Sequence, residues 1–123
     1  MKVILSIKPE FANKIFDGTK KFEFRRTLFK KKEVNKIVVY ASAPISKVIG
    51  EFEIEDIVHE DVDTLWNKTS DYSGISFDYY FEYFQGKEVG YAIKVKNPKK
   101  YEEELCIMQN FGMRPPQSFA YLK

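Results

Sequence analysis

From Lys47 to Val58 the residue types alternate, with Phe52 and Ile54 on one side and Glu51, Glu53 and Glu55 on the other. Alternation of this kind is the mark of a long strand with one wet face. Gly50, near its start, predicts a bulge or the close approach of another group. A strand this long has to bend to stay on a small domain, and bent strands of this kind turn the corners of β-barrels.

The remaining elements follow from local patterns. Val3, Leu5 and Ile7 alternate with Ile4, Ser6 and Lys8 and read as a strand. Pro9 suits a first helical turn, where its missing N–H costs nothing. Phe11, Ala12, Ile15 and Phe16 then share a helical face, and Gly18 suits the left-handed cap that ends it. In the next strand Lys21, Glu23 and Arg25 share one face and Phe22 and Phe24 the other. Lys30 to Asn35 reads as an exposed loop, and Lys36 to Ala41 as an apolar strand stopped by Pro44. Val62, Leu65 and Trp66 predict a short helix. Ser76 is placed to cap another, whose stripe of Phe77, Tyr80, Phe81 and Phe84 reads as buried before Gly86 stops it. Glu88 to Lys96 is a strand with Val89, Tyr91, Ile93 and Val95 on one face, ended by Asn97-Pro98. Tyr101 to Ile107 reads as a further strand or extended piece, Asn110 to Pro116 as a loop, and Ser118 to Leu122 as a last strand. About six strands with three segregated helices make an α+β domain. Periodicity fits a small closed barrel and an open sheet equally.

At 123 residues the chain suits one domain, residues 1–123, with a real core. Cys106 is the single cysteine and His59 the single histidine. No intrachain disulfide can form, and no metal site of the zinc type is expected. Cys106 reads as a small buried side chain and His59 as a surface residue. The sequence has no P-loop, no G-x-G-x-x-G and no other cofactor motif. The N-terminal apolar run is too short for a signal peptide and no run reaches membrane-spanning length, so a cytoplasmic protein without a membrane partner is expected.

Net charge is only +2, yet the charges are clustered. Lys20, Lys21, Arg25, Arg26, Lys30, Lys31, Lys32 and Lys36 face only Glu23 and Glu33 in residues 20–36. Residues 51–63 carry Glu51, Glu53, Glu55, Asp56, Glu60, Asp61 and Asp63 with no lysine or arginine. Two such regions polarise the molecule if they stand apart and cancel if they meet. Aromatic residues make up 16%, so Phe and Tyr are expected both in the core and on the surface.

The spacing Gly18-x-Lys20-x-x-Glu23-x-Arg25 resembles the G-x-K-x-x-E-x-R motif of the ASCH domain family, a branch of the PUA-like β-barrels. Its place after one strand and one helix is also similar, as are the segments Val38 to Pro44 and Val48 to Glu51. The resemblance covers nearly the whole chain. It implies a small PUA-like mixed or antiparallel β-barrel with flanking helices, and a nucleic-acid-related domain with a charged cleft. On the residues alone, the simpler reading of the same stretch is an amphipathic edge strand with solvated charges.

Two functions are compatible with that cleft. In the first, Gly18, Lys20, Lys21, Glu23, Arg25 and Arg26 form a binding site for RNA or a single strand, aided by Lys30 to Lys32. The cations hold phosphate and Glu23 orients them or accepts from a base amino group. In the second, Lys20 is desolvated and works with Glu23 as the catalytic pair of a small hydrolase acting on RNA or on a modified nucleoside. Some ASCH-like proteins resemble amidohydrolases of acylated cytidine and others are associated with ribonuclease activity. The amidohydrolases of that resemblance act through a Lys, a Thr and a Glu; Thr19 and Thr27 lie near Lys20, but the triad does not map onto this sequence residue by residue. Ser6, Lys8 and Ser42 are further candidates for the cleft, and Tyr91 and Ser118 weaker ones. Tyr40, Tyr79 and Tyr83 offer rings for base stacking, although packing is the simpler role for each. A third reading is a protein-interaction domain that uses the aromatic helix. A narrow pocket around Lys20 would favour a nucleoside, and an open groove running to Lys30 to Lys32 would favour a strand.

Overall fold

The computed structural model describes residues 1–122. Six strands form one mixed sheet: β1 (Lys2–Ile7), β2 (Phe22–Arg25), β3 (Lys36–Ala41), β4 (Lys47–Asp61), β5 (Val89–Leu105) and β6 (Phe119–Leu122). Their spatial order is β2-β5-β4-β3-β1-β6. The β1–β3 pair is parallel and the other four are antiparallel. Four α-helices accompany the sheet: α1 (Pro9–Asp17), α2 (Val62–Thr69), α3 (Phe77–Tyr83) and α4 (Ile107–Phe111). A 3₁₀ turn, Ser70–Tyr72, links α2 to the approach to α3.

The central strands are apolar on both faces because both are covered. Val3, Leu5, Ile7, Ile37, Val39 and Ala41 pack with Ala12 and Ile15 of α1. Ile4, Val38, Tyr40 and Val48 pack on the other side with Ile107 of α4. A third cluster joins Phe22, Phe24 and Ala92 to Leu65 of α2 and to Tyr80 and Phe84, at the end of the sheet that carries β2. Pro9 opens α1, and Gly18 closes it at φ 88° with its N–H on the Ile15 carbonyl. Ser76 caps α3 by accepting from the Tyr79 N–H at 3.1 Å.

The structure corrects several expectations. The sheet is not a closed barrel. Among the described residues β2 pairs only with β5 and β6 only with β1, so both remain edges. Side chains bridge the gap instead: the Arg25 guanidinium donates to the Ser118 hydroxyl just before β6. Asn97-Pro98 does not end β5. Asn97 takes a left-handed φ of 50° and donates to Glu53 at 2.7 Å. The pairing shifts register there, and the bulge absorbs a proline that has no N–H to give. The segment after β5 forms α4, and Cys106 at its start is half-buried rather than buried. Phe77, expected in the buried stripe, is 57% exposed at the start of α3, where its ring rests against Trp66 and Phe81.

The acidic region is not left unbalanced. Glu51, Glu53 and Asp56 on β4 stand opposite Lys99, Lys96 and Lys94 on β5. Lys36 and Lys94 close ion pairs with Glu51 and Glu55 at 2.9 and 2.8 Å. The acidic strand is thus matched by lysines that lie far from it in sequence.

Gly50 lies at a register shift, as its position suggested. A Cβ there would come within 2.5 Å of the Phe16 ring and 2.6 Å of the Lys99 carbonyl. Gly50→Ala should therefore lower stability by about 1–3 kcal/mol in urea denaturation, as overpacking does. The exposed Lys32→Ala should stay within about 0.5 kcal/mol of the parent.

Candidate functional site

The turn after α1 delivers Lys20 to a fixed place. The Thr19 N–H and hydroxyl both donate to the Asp17 carboxylate, at 2.9 and 2.6 Å. The Lys20 N–H bonds to the Lys14 carbonyl at 3.0 Å. The Lys20 side chain then runs inward and is only 2% exposed. Its ammonium donates to the Ser73 carbonyl at 2.6 Å. It stands 4.9 Å from the ring centre of Phe24 and 5.3 Å from that of Phe11. Ring faces return a little of the electrostatic support that lost water would have given.

The loop over Lys20 is shaped to hold it. Gly74 has φ +69°, and a Cβ there would come within 2.6 Å of the lysine's own Cβ and Cγ. Lys14 ties the same loop down by donating to the Gly74 carbonyl at 3.1 Å. The amine therefore lies under a lid made of backbone. Burial lowers its pKa from 10.5 to about 8, and the field of Glu23 opposes that only in part.

Glu23 and Arg25 project from β2 beside it, on the face that alternation assigns them. Glu23 is buried, and one of its carboxylate oxygens accepts from Arg25 at 3.3 Å. The same guanidinium reaches Ser118, so Arg25 links β2 to the chain entering β6. A cavity of about 270 Å³ opens where these two edges diverge. Lys20, Glu23, Arg25, Ser6, Lys8 and Ser118 give it polar character, with Gln117 at the same wall. Phe11, Phe24, Ile75, Tyr79 and Tyr83 supply the apolar part. Tyr83 is fixed by donating to the Phe24 carbonyl at 3.1 Å, and burial raises its hydroxyl pKa. Cations, a carboxylate and several rings in one small hollow suit a polar aromatic ligand with an anionic group.

A model of the ASCH domain matches residues 5–105. The chain belongs to the ASCH domain family. An ASCH domain-containing ribonuclease from Zymomonas mobilis is 34% identical over 127 residues, covering 99% of this chain and 84% of that protein. The crystal structure of ASCH from Zymomonas mobilis superposes with a TM-score of 0.91 at 31% identity, covering 99% of this chain and 87% of that one. The N-terminal domain of McrB from Staphylothermus marinus shares the fold, with a TM-score of 0.53 at 17% identity over 91% of this chain and 80% of that one.

Not every residue singled out in the ASCH motif region reaches the cavity. Lys20, Glu23, Arg25, Ser6 and Lys8 do. Gly18 acts one step removed, as the helix cap. Lys21 turns away and lies over the Tyr72 ring at 4.4 Å. Arg26 is engaged elsewhere, donating to the carbonyls of Tyr83 and Gln85 at 2.7 and 3.0 Å at the end of α3. Ser42 is not among the cavity-lining residues; its N–H donates to the Ile7 carbonyl at 3.0 Å and its carbonyl accepts from the N–H groups of Ile45 and Ser46. Lys30, Lys31 and Lys32 do not line the cavity. Tyr91 stacks on His59 at 4.2 Å, and Tyr40 is buried in the core. Tyr79, Tyr83 and Ser118, which the sequence ranked low, are all present, and so are Phe11, Ile75 and Gln117. Glycine at 74 was the one signal for the lid, and it stands more than fifty residues from Lys20.

A buried ammonium costs stability until it loses its proton. Below pH 8 folded Lys20 is charged and the full cost applies. Between about pH 8 and 10.5 the unfolded chain holds the proton more tightly than the folded one, so stability rises with pH there. Lys20→Met should stabilise the domain at pH 7 by about 1–3 kcal/mol in urea denaturation. The gain should shrink as pH rises through 8 towards 10.5, as wild-type Lys20 becomes neutral.

Proposed function

We propose that this ASCH domain binds single-stranded RNA by taking one unstacked nucleotide into the Lys20 cavity, and that it cleaves the strand there. The observation that carries the reading is the buried Lys20 amine, set beside Glu23 and Arg25 in a hollow with aromatic walls. Proteins that read single-stranded RNA place splayed bases against aromatic rings and hold the backbone with cations. The ribonuclease named among the relatives supports the same substrate class.

Each residue has a part in this reading. The rings of Phe11, Tyr79 and Tyr83 receive the base. Arg25 neutralises the phosphate and Glu23 holds Arg25 in place. Lys20, with a pKa of about 8, is neutral in about one molecule in ten at pH 7. In that form it takes the proton from a 2′-hydroxyl. The 2′-oxygen bonds to the adjacent phosphorus, the bond from phosphorus to the 5′-oxygen breaks, and the departing 5′-oxygen takes a proton from water. The products are a 2′,3′-cyclic phosphate and a 5′-hydroxyl.

The small volume of the cavity and the absence of Lys30 to Lys32 from its walls favour a second reading. In it the substrate is a free modified nucleoside of the acylated cytidine type. Lys20 takes a proton from water, and the water oxygen bonds to the acyl carbon. The bond from that carbon to the cytidine nitrogen breaks, and the nitrogen leaves with the proton returned from Lys20. Both readings make Lys20 the group that moves the proton, and they differ in the substrate.

Labelled single-stranded RNA and acetylated cytidine, each incubated with the wild type and with Lys20→Ala, separate them. RNA cleavage by the wild type should fall by about 10²–10⁴ in the variant. The wild-type rate should rise with pH and level off near pH 8. Turnover of acetylated cytidine alone would move the assignment to the second reading. RNA turnover equal in both proteins would remove Lys20 from the mechanism.

A further inference from the structure

We infer that a second nucleotide-binding subsite lies at the far end of β6, and that the RNA strand runs along this edge to reach it from the Lys20 cavity. The inference rests on the RNA reading above and extends it from one nucleotide to a path. A groove of about 640 Å³ lies at that end, lined by Lys2, Asn110, Phe111, Met113, Tyr121 and Leu122. Ser118 lines the cavity and Tyr121 lines the groove, so about 10 Å of extended chain separates them. Among the described residues β6 pairs only with β1. The backbone N–H groups on its outer edge are free of any sheet partner and can donate to phosphate.

The lysine loop meets this groove at one of its lining residues, Tyr121, although its own lysines line neither hollow. The Tyr121 hydroxyl accepts from the N–H groups of Lys30 and Lys31, at 2.8 and 3.2 Å. The Lys31 ammonium lies 4.7 Å from the centre of the Tyr121 ring. Lys2 and Lys31 are both exposed. Neither forms an ion pair among the described residues. Among the described residues the neighbouring carboxylates are Glu33 in the same loop and Glu51, and the latter is held by Lys36 and Tyr101. Asn110 donates its amide to the Cys106 carbonyl and keeps its own oxygen for a base edge. Phe111 and Tyr121 offer ring surface for a base. Cations beside aromatic rings along a free strand edge are what a flexible polyanion with flat bases requires.

The test compares wild type with Lys2→Ala/Lys31→Ala, both sites being exposed and outside the cavity. The probes are a fluorescent 2′-O-methyl uridine octamer, which resists cleavage, and the matching dinucleotide. Octamer affinity should fall about tenfold or more, and the salt slope should drop by about 0.7 for each lysine removed. Dinucleotide affinity should not change. Octamer binding with unchanged affinity and slope would overturn the subsite and leave the RNA reading standing. Equal losses for the octamer and the dinucleotide would also overturn it, because the two lysines would then serve the cavity. A wild type that binds neither probe would refute the RNA reading and the subsite with it.

Discussion

One buried amine holds the site together. Lys20 gives up its water to a cavity wall, and a backbone carbonyl and two ring faces replace that water only in part. A pKa displaced to about 8 corresponds to about 3 kcal/mol set against the fold. The surrounding structure compels that placement. The Asp17–Thr19 turn aims the lysine, and the loop at Ser73 and Gly74 closes over it so tightly that no side chain fits at Gly74. A chain selected for stability alone would put methionine there. Lysine in that position is the arrangement that acid–base chemistry needs, because burial brings its pKa close to the working pH.

The open sheet gives this amine something to face. β2 and β6 remain edges, and the gap between them is spanned by Arg25 and Ser118 instead of a backbone ladder. The cavity lies in this seam, with β2 on one side and the end of β1 with the Gln117–Ser118 segment on the other. A fully closed barrel of the same strands would have joined these edges. The fold and the site therefore share one cause, two four-residue strands that stop before they meet.

Much of this was legible in the sequence. The alternation of Phe22 and Phe24 with Glu23 and Arg25 fits the faces of β2, but Lys21, expected beside Glu23 and Arg25, turns away and Glu23 is buried; Pro9 and Gly18 bound α1. Gly50 correctly marked a place where another group comes close. What was not legible depends on distant parts of the chain. The charge of residues 51–63 looked unbalanced until β5 brought Lys94, Lys96 and Lys99 opposite it. Arg26 looked like a ligand contact until the end of α3 offered two carbonyls. Nothing local shows that Lys20 is buried, because its lid comes from residues 73 and 74. Asn97-Pro98 reads as a stop because proline ends a regular ladder, and a bulge is the exception that lets β5 continue.

The measurement that tests the central claim most directly is the titration of the Lys20 side-chain nitrogen by NMR in lysine-labelled wild-type protein, with Lys20→Ala used to assign the resonance. The account predicts a midpoint at about pH 8, well apart from the exposed lysines. A midpoint near 10.5 would mean that Lys20 is solvated in solution, and the proton-transfer role given to it would fall.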